Sequence, residues 1–257
     1  IPLLYGVDAV HGNNNVRGSV LFPHNIGLGA ADDPDLIERI AGVTAREVLA
    51  TGVEWTFAPT LAVVRNDHWG RTYESYSEDP EIVSRYAGAF VRGLQGDLGR
   101  DAVVACAKHW VGDGGTNHGI DQGRTDISEE ELRRLHIAPY GPAVDAGVLT
   151  VMASYNSWND VKCHAHRYLL TDVLKGELGF DGFVVSDWDG IDQLSDDYAE
   201  AVRLSVNAGV DMFMVPDKWK RFLADLTAEV EAGRIPMERI DDAVRRILRV
   251  KEAYGLF

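Results

Sequence analysis

The chain has 257 residues, 46% hydrophobic and 25% charged, which is enough for one large domain with a substantial core. Its formal net charge of -15 argues against nucleic-acid or anionic-membrane partners, which select basic surface, and suits a neutral ligand. No apolar run reaches the ~18 residues of a membrane span.

Strand-like and helix-like patterns alternate along the chain. Ile1–Val10 reads as a strand. Because Ile1 already sits in an apolar run, further chain is expected upstream, and the compartment stays open. Asp33-Pro34 opens a helix to about Thr51, with Pro34 in its first turn and Gly52 past its end. Its apolar positions Leu36, Ile37, Ile40, Val43, Val48 and Leu49 recur at helical spacing. Val53–Val64 is a second strand, Asp79–Leu94 a helix, and Ala102–His109 a third strand. Ser128–Ala146 reads as one helix, opened by Ser-Glu-Glu-Glu. Leu149–Tyr155 is a fourth strand, Arg167–Leu178 a helix, and Phe183–Ser186 a fifth strand. The helix Asp197–Ala208 leads to a sixth strand, Asp211–Val215, and helices over Lys218–Ala232 and Pro236–Tyr254 follow.

No linker, repeat or composition break interrupts residues 1–257, so a single domain is expected. Regular β-then-α alternation predicts a parallel sheet with helical crossovers. Polar residues follow nearly every strand: Asp8, Arg71, Lys108, His109, Tyr155 and Asp187. An open doubly wound sheet concentrates its site at one switch point, whereas a barrel collects residues from many strand ends. The expectation is therefore an α/β protein with a TIM-type (β/α)8 barrel. About six of its eight strands are present, and the first two are expected upstream of Ile1.

The stretch Gly182-Phe-Val-Val-Ser-Asp-Trp-Asp-Gly190 carries the strongest chemical signal: a short buried strand that breaks into Asp187, Trp188 and Asp189. Helix capping is the competing reading for the two aspartates. Asp8 at the end of the first strand can accept hydrogen bonds from sugar hydroxyls or brace a loop. His11 reads as a satisfied core histidine. In Trp69–Pro80, Arg71 can clamp a ligand or a catalytic carboxylate, and can also pair with Glu74. Lys108 and His109, backed by a glycine-rich turn, are costly to bury without purpose and suit a polyhydroxylated ligand. A phosphate loop is disfavoured there because Asp113 lies among the glycines. Tyr155 can hydrogen-bond a catalytic carboxylate. His164 and His166 read as a solvated loop rather than a metal pair. Cys106 and Cys163 make no metal or disulfide framework, although pairing between them stays open.

Taken together and in order, the motifs YGVDAVHG, WGRTYESYSEDP, KHWVGDGG, ASYNSWN and GFVVSDWDGI resemble the barrel domain of glycoside hydrolase family 3 β-glucosidases and exo-β-glucanases. The resemblance runs from Ile1 to Phe257 and implies Asp187 as catalytic nucleophile. It implies Asp8, Arg71, Lys108, His109 and Tyr155 in the −1 sugar subsite and Trp188 as an aromatic near the +1 subsite. Gln122 stands where some plant members carry a glutamate. β-Xylosidases belong to the same family, as do β-N-acetylhexosaminidases. The latter branch carries an Asp-x-His pair where this chain has Gly119 and Asp121, which disfavours it. The implied acid/base is a glutamate on a separate C-terminal α/β domain, expected as a partner beyond Phe257.

The implied activity is a retaining, exo-acting β-glucosidase working through a glycosyl-Asp187 intermediate on β-glucosides or β-glucan oligosaccharides. Arg71, Lys108 and His109 would supply positive field favouring an ionised nucleophile. The chemistry calls for no metal and no organic cofactor. Two other readings remain: a carbohydrate-binding barrel without efficient turnover, and a phosphate-binding barrel enzyme of unrelated chemistry.

Overall fold

The computed structural model describes residues 1–99 and 101–257. β1 (Gly6–Val7) is followed by α1 (Asn25–Ala31) and α2 (Pro34–Leu49), then by β2 (Trp55–Thr56) and α3 (Pro80–Gln95). β3 (Val104–Trp110) is the longest strand and is buried throughout. β4 (Arg124–Thr125), α4 (Glu129–Leu132), a π-helical stretch (Arg133–Ile137) and α5 (Tyr140–Asp145) lead to β5 (Thr150–Ala153). β6 (Ser157–Trp158), β7 (Val161–Lys162) and a π-helix (Tyr168–Glu177) precede β8 (Phe183–Val185). α6 (Tyr198–Ala208), α7 (Trp219–Glu231) and α8 (Met237–Tyr254) complete the chain. Among the described residues no helix is long and apolar enough to cross a membrane.

β1, β2, β3, β5 and β8 form one parallel sheet in that spatial order, and a parallel bridge from Val185 to Met212 adds a sixth position. Helices cross over between successive strands, as parallel pairing requires. The result is a TIM-type α/β barrel wall, open between β1 and Met212 among the described residues. Local sequence sets the helix starts. Asp33 accepts a hydrogen bond from the Leu36 N–H at 3.0 Å, and Pro34 and Pro80 occupy first turns where a missing N–H costs nothing.

The sheet's two faces alternate with the strand period of two. Ala105, Ala107, Val151 and Val184 face the outer core beneath the helices. Trp55, Val104, Cys106, Met152, Phe183 and Val185 face a second, inner core. Gly6 belongs to that inner layer: a Cβ there would lie 2.6 Å from the Phe57 ring. Continuing the same parity by one step reaches Asp8, Lys108 and Asp187, so three strands deliver polar groups to one rim.

Several expectations need correction. Regular pairing in the first strand covers only Gly6–Val7, because as an edge strand it pairs on one side only. Regular pairing in the second covers Trp55–Thr56 and resumes as a parallel bridge from Thr60 to Lys108 past Pro59, which has no N–H to give. Its backbone still serves β3, with Ala58 and Pro59 carbonyls accepting from Cys106 and Lys108 at 2.8 and 2.9 Å. The helix expected over Ser128–Ala146 is broken: Pro139 cannot donate, and Ala138 N–H instead reaches the Arg133 carbonyl at 2.9 Å. Asp211–Val215 contributes a single bridge rather than a full strand. α1 and the small β4-β6-β7 sheet were not expected from the sequence. Glycines at 27 and 29 obscure α1, yet Gly29 is required, since a Cβ there would meet the Tyr76 carbonyl oxygen at 1.6 Å.

Candidate active site

A cavity of about 340 Å³ opens at the C-terminal rim of the sheet, and all seven candidate residues line it: Asp8, Arg71, Lys108, His109, Tyr155, Asp187 and Trp188. Asn15, Phe57, Met152 and Met214 complete much of its wall. Carboxylates in the wall come from Asp8 and Asp187.

The polar groups form a connected network. Lys108 Nζ donates to Asp8 Oδ1 at 2.6 Å; the lysine is buried while the aspartate stays exposed. Arg71 makes a forked pair with Glu74 at 2.6 and 2.8 Å. Burial is the largest single influence and opposes the charge on both partners, but their hydrogen bonds and charge attraction together exceed it, so the Arg71 pKa is raised and that of Glu74 is lowered. Arg71 Nη2 also lies 3.1 Å from His109 Nε2. A guanidinium only donates, so Nε2 is an acceptor and the ring proton sits on Nδ1, which donates to Asp113 Oδ2 at 2.8 Å.

That arrangement corrects one expectation. His109 supplies no positive field: burial, with Arg71 and Lys108 nearby, pushes its pKa down to about 3, so the imidazole is neutral. The positive side of the cavity comes from Arg71 and Lys108. Asp113, buried behind His109, is raised above the usual carboxylate range by burial and acts on the histidine rather than in the cavity.

Asp187 is held at both its backbone and its carboxylate. Its N–H donates to His164 Nε2 at 3.0 Å, and its Oδ1 accepts the Trp188 N–H at 2.6 Å. Its Oδ2 lies 3.7 Å from His109 Nε2, too far for a hydrogen bond, and is the oxygen left available. Tyr155 OH donates to the Trp188 carbonyl at 2.5 Å, and burial followed by the Asp187 charge raises the phenol's pKa. The Trp188 indole is 61% exposed, an aromatic face at the cavity mouth.

Residues outside the cavity also fall into place. Asp189 takes a left-handed turn and is absent from the wall, Asp121 accepts from the Trp69 indole at 3.1 Å, and His11 is at hydrogen-bonding distance from the Phe22 carbonyl at 3.0 Å. Gln122 accepts from Gln193 at 2.7 Å beside the rim. His164 was expected in a solvated loop and is instead fully buried, because the Asp187 N–H offers it a partner. Its only sequence cue is its place two residues after Lys162, itself anchored to the Tyr155 carbonyl at 2.8 Å. Cys106 and Cys163 are both free thiols, each buried.

Residues 1–250 match the model of the glycosyl hydrolase family 3 N terminal domain. The chain belongs to glycoside hydrolase family 3. This family 3 domain is 38% identical to a lysosomal beta glucosidase of Dictyostelium discoideum, over the whole chain and 33% of that protein. It superposes with a TM-score of 0.97 on the crystal structure of an exo-1,3/1,4-beta-glucanase from a Pseudoalteromonas species, at 54% identity over the whole chain and 33% of that one. A beta-glucosidase from Listeria innocua, solved in complex with glucose, gives 0.93 at 32% identity over the whole chain and 36% of its own. The chain spans about a third of the length of the relatives it matches. Its fold is thus the TIM-type barrel of the family 3 N-terminal domain.

Proposed function

We propose that this chain is the barrel domain of a retaining, exo-acting β-glucosidase, with Asp187 as nucleophile. The observation that carries the reading is the Asp187 carboxylate, with one oxygen fixed and the other open to a cavity walled by Lys108, Arg71 and Asp8. In this mechanism Asp187 Oδ2 attacks the anomeric carbon as the bond to the aglycone oxygen breaks, and an acid protonates the departing oxygen. Water then cleaves the glycosyl ester, losing its proton to the same group, and glucose leaves with its configuration retained. Asp8, pre-set by Lys108, accepts from sugar hydroxyls and turns binding into orientation. Neutral His109 suits a hydroxyl rather than an anion, and two carboxylates in the wall disfavour a phosphate ligand.

Glu74, Asp113 and Asp121, the first alternatives for an acid/base among these residues, stand outside the cavity wall with partners of their own. This supports an acid/base supplied from beyond the chain, by a C-terminal α/β domain. It also sustains the second reading, a sugar-binding barrel without efficient turnover of its own. The test is hydrolysis of aryl β-glucosides by the full-length protein, followed by proton NMR of the sugar released. The proposal expects β-glucose to appear first, with slower action on β-xylosides and N-acetyl-β-glucosaminides. Initial α-glucose would reject retention. Glucose binding without hydrolysis would select the binding-only reading.

A further inference from the structure

We infer that His164 is a positioning residue for the Asp187 carboxylate, holding the nucleophile through its backbone. The inference rests on Asp187 being the nucleophile and adds a residue that does not touch the sugar. His164 lies in the short turn Cys163–Ala165 with no exposed surface, and it is not part of the cavity wall. Its Nε2 lies 3.0 Å from the Asp187 nitrogen. Since a backbone N–H only donates, Nε2 is unprotonated and the ring proton resides on Nδ1. Burial pushes the imidazole pKa down to about 3, so this acceptor persists through the working pH range.

The surroundings are shaped for that ring. A Cβ on Gly190 would lie 2.5 Å from His164 Nε2, so the imidazole occupies the space a side chain at 190 would take. The ring's own segment is braced: Lys162 Nζ donates to the carbonyls of Tyr155 and Gln122 at 2.8 and 3.1 Å, and Cys163 N–H donates to the Asn156 carbonyl at 3.0 Å. On the far side, Asp187 Oδ1 takes the Trp188 N–H and the Trp188 carbonyl takes the Tyr155 hydroxyl. The peptide groups on both sides of Asp187 are thereby fixed, and the free oxygen Oδ2 is presented at one place.

Two substitutions perturb this contact by independent routes. His164→Ala removes the acceptor. Gly190→Ala leaves the histidine intact but displaces its ring, at a position whose backbone lies outside the left-handed region. Steady-state hydrolysis of an aryl β-glucoside by the full-length protein is compared with thermal unfolding of each variant. Both should lower kcat about 10–100-fold, as expected for a reacting group misplaced by a fraction of an ångström to an ångström. KM should stay within about twofold, because no sugar contact is lost. His164→Gln, whose amide oxygen can accept the same N–H, should recover most of kcat, which filling of the cavity by an apolar His164→Leu should not. Unchanged kcat in folded His164→Ala and Gly190→Ala would overturn the inference, as would equal recovery by glutamine and leucine. Covalent trapping of the unsubstituted protein on a carboxylate other than Asp187 would instead overturn the nucleophile assignment beneath it.

Discussion

Removing Glu74 probes the electrostatic wiring of the cavity directly. Glu74 is nearly buried and Arg71 about a quarter exposed, and two charge-assisted hydrogen bonds of 2.6 and 2.8 Å join them. Glu74→Ala leaves a guanidinium beside a neutral imidazole with no counter-charge in contact. Breaking a buried pair from one side costs about 3–5 kcal/mol, and partial solvent access of Arg71 lowers that to about 2–4 kcal/mol. For a chain of this size the melting temperature should fall on the order of 10 °C. The difference should also depend on pH with a definite sign. The folded-state pKa of Glu74 is depressed: burial, the largest single influence, opposes the charge, but the hydrogen bonds to Arg71 and the attraction of Arg71 and its neighbours together exceed it. Its contribution is therefore fully present above the ordinary glutamate value of about 4.3 and is lost as pH falls through the depressed folded value. Urea unfolding of protein and variant between pH 7 and pH 3.5 tests this. A gap that narrows only toward the acid end is expected. A gap below about 0.5 kcal/mol at pH 7, or one that widens in acid, would refute the reasoning.

Asp8→Ala should weaken glucose binding by about 1.5–3 kcal/mol in calorimetry, the range for hydrogen bonds to a charged group; unchanged affinity in a folded variant would remove Asp8 from the sugar site. Nitrogen NMR of the His109 ring should show a neutral imidazole protonated at Nδ1 from pH 5 to 8, because its pKa is pushed down to about 3; an imidazolium at pH 6 would contradict the network. Asp211→Ala should cost about 3–5 kcal/mol in urea unfolding, since its fully buried carboxylate holds Lys175 at 2.9 Å, Arg239, and the Val184 N–H at 2.8 Å. A loss under about 1 kcal/mol would mean those partners find others.

The rim of the barrel was legible because strand parity is simple. Leu4, Gly6 and Asp8, or Phe183, Val185 and Asp187, alternate in sequence as they do in space, and a polar residue ending such a series must emerge where the inner core stops. Helix starts were legible at Asp33-Pro34 and Asp79-Pro80 because the cap is local chemistry. What escaped the sequence depends on contacts between distant segments. The neutral state of His109 follows from its burial and from Arg71 beside it, which is 38 residues away in sequence. The burial of His164 follows from a backbone N–H 23 residues on. Nothing within either motif encodes those partners, so a histidine in a loop looked solvated and a histidine beside a lysine looked charged. The reading of Ser128–Ala146 as one helix overlooked Pro139, whose missing N–H interrupts the ladder.

The most direct test of the account is covalent trapping of the nucleophile. An activated 2-deoxy-2-fluoro-β-glucoside with a dinitrophenyl leaving group needs no acid to react, so the fixed Asp187 carboxylate alone should suffice. Intact-mass and peptide mass spectrometry should find one label, on the peptide containing Asp187, and none on Asp187→Asn. A label on Asp189 or Glu74, or no label on folded protein that binds glucose, would contradict the assignment of Asp187 as the group that attacks the sugar.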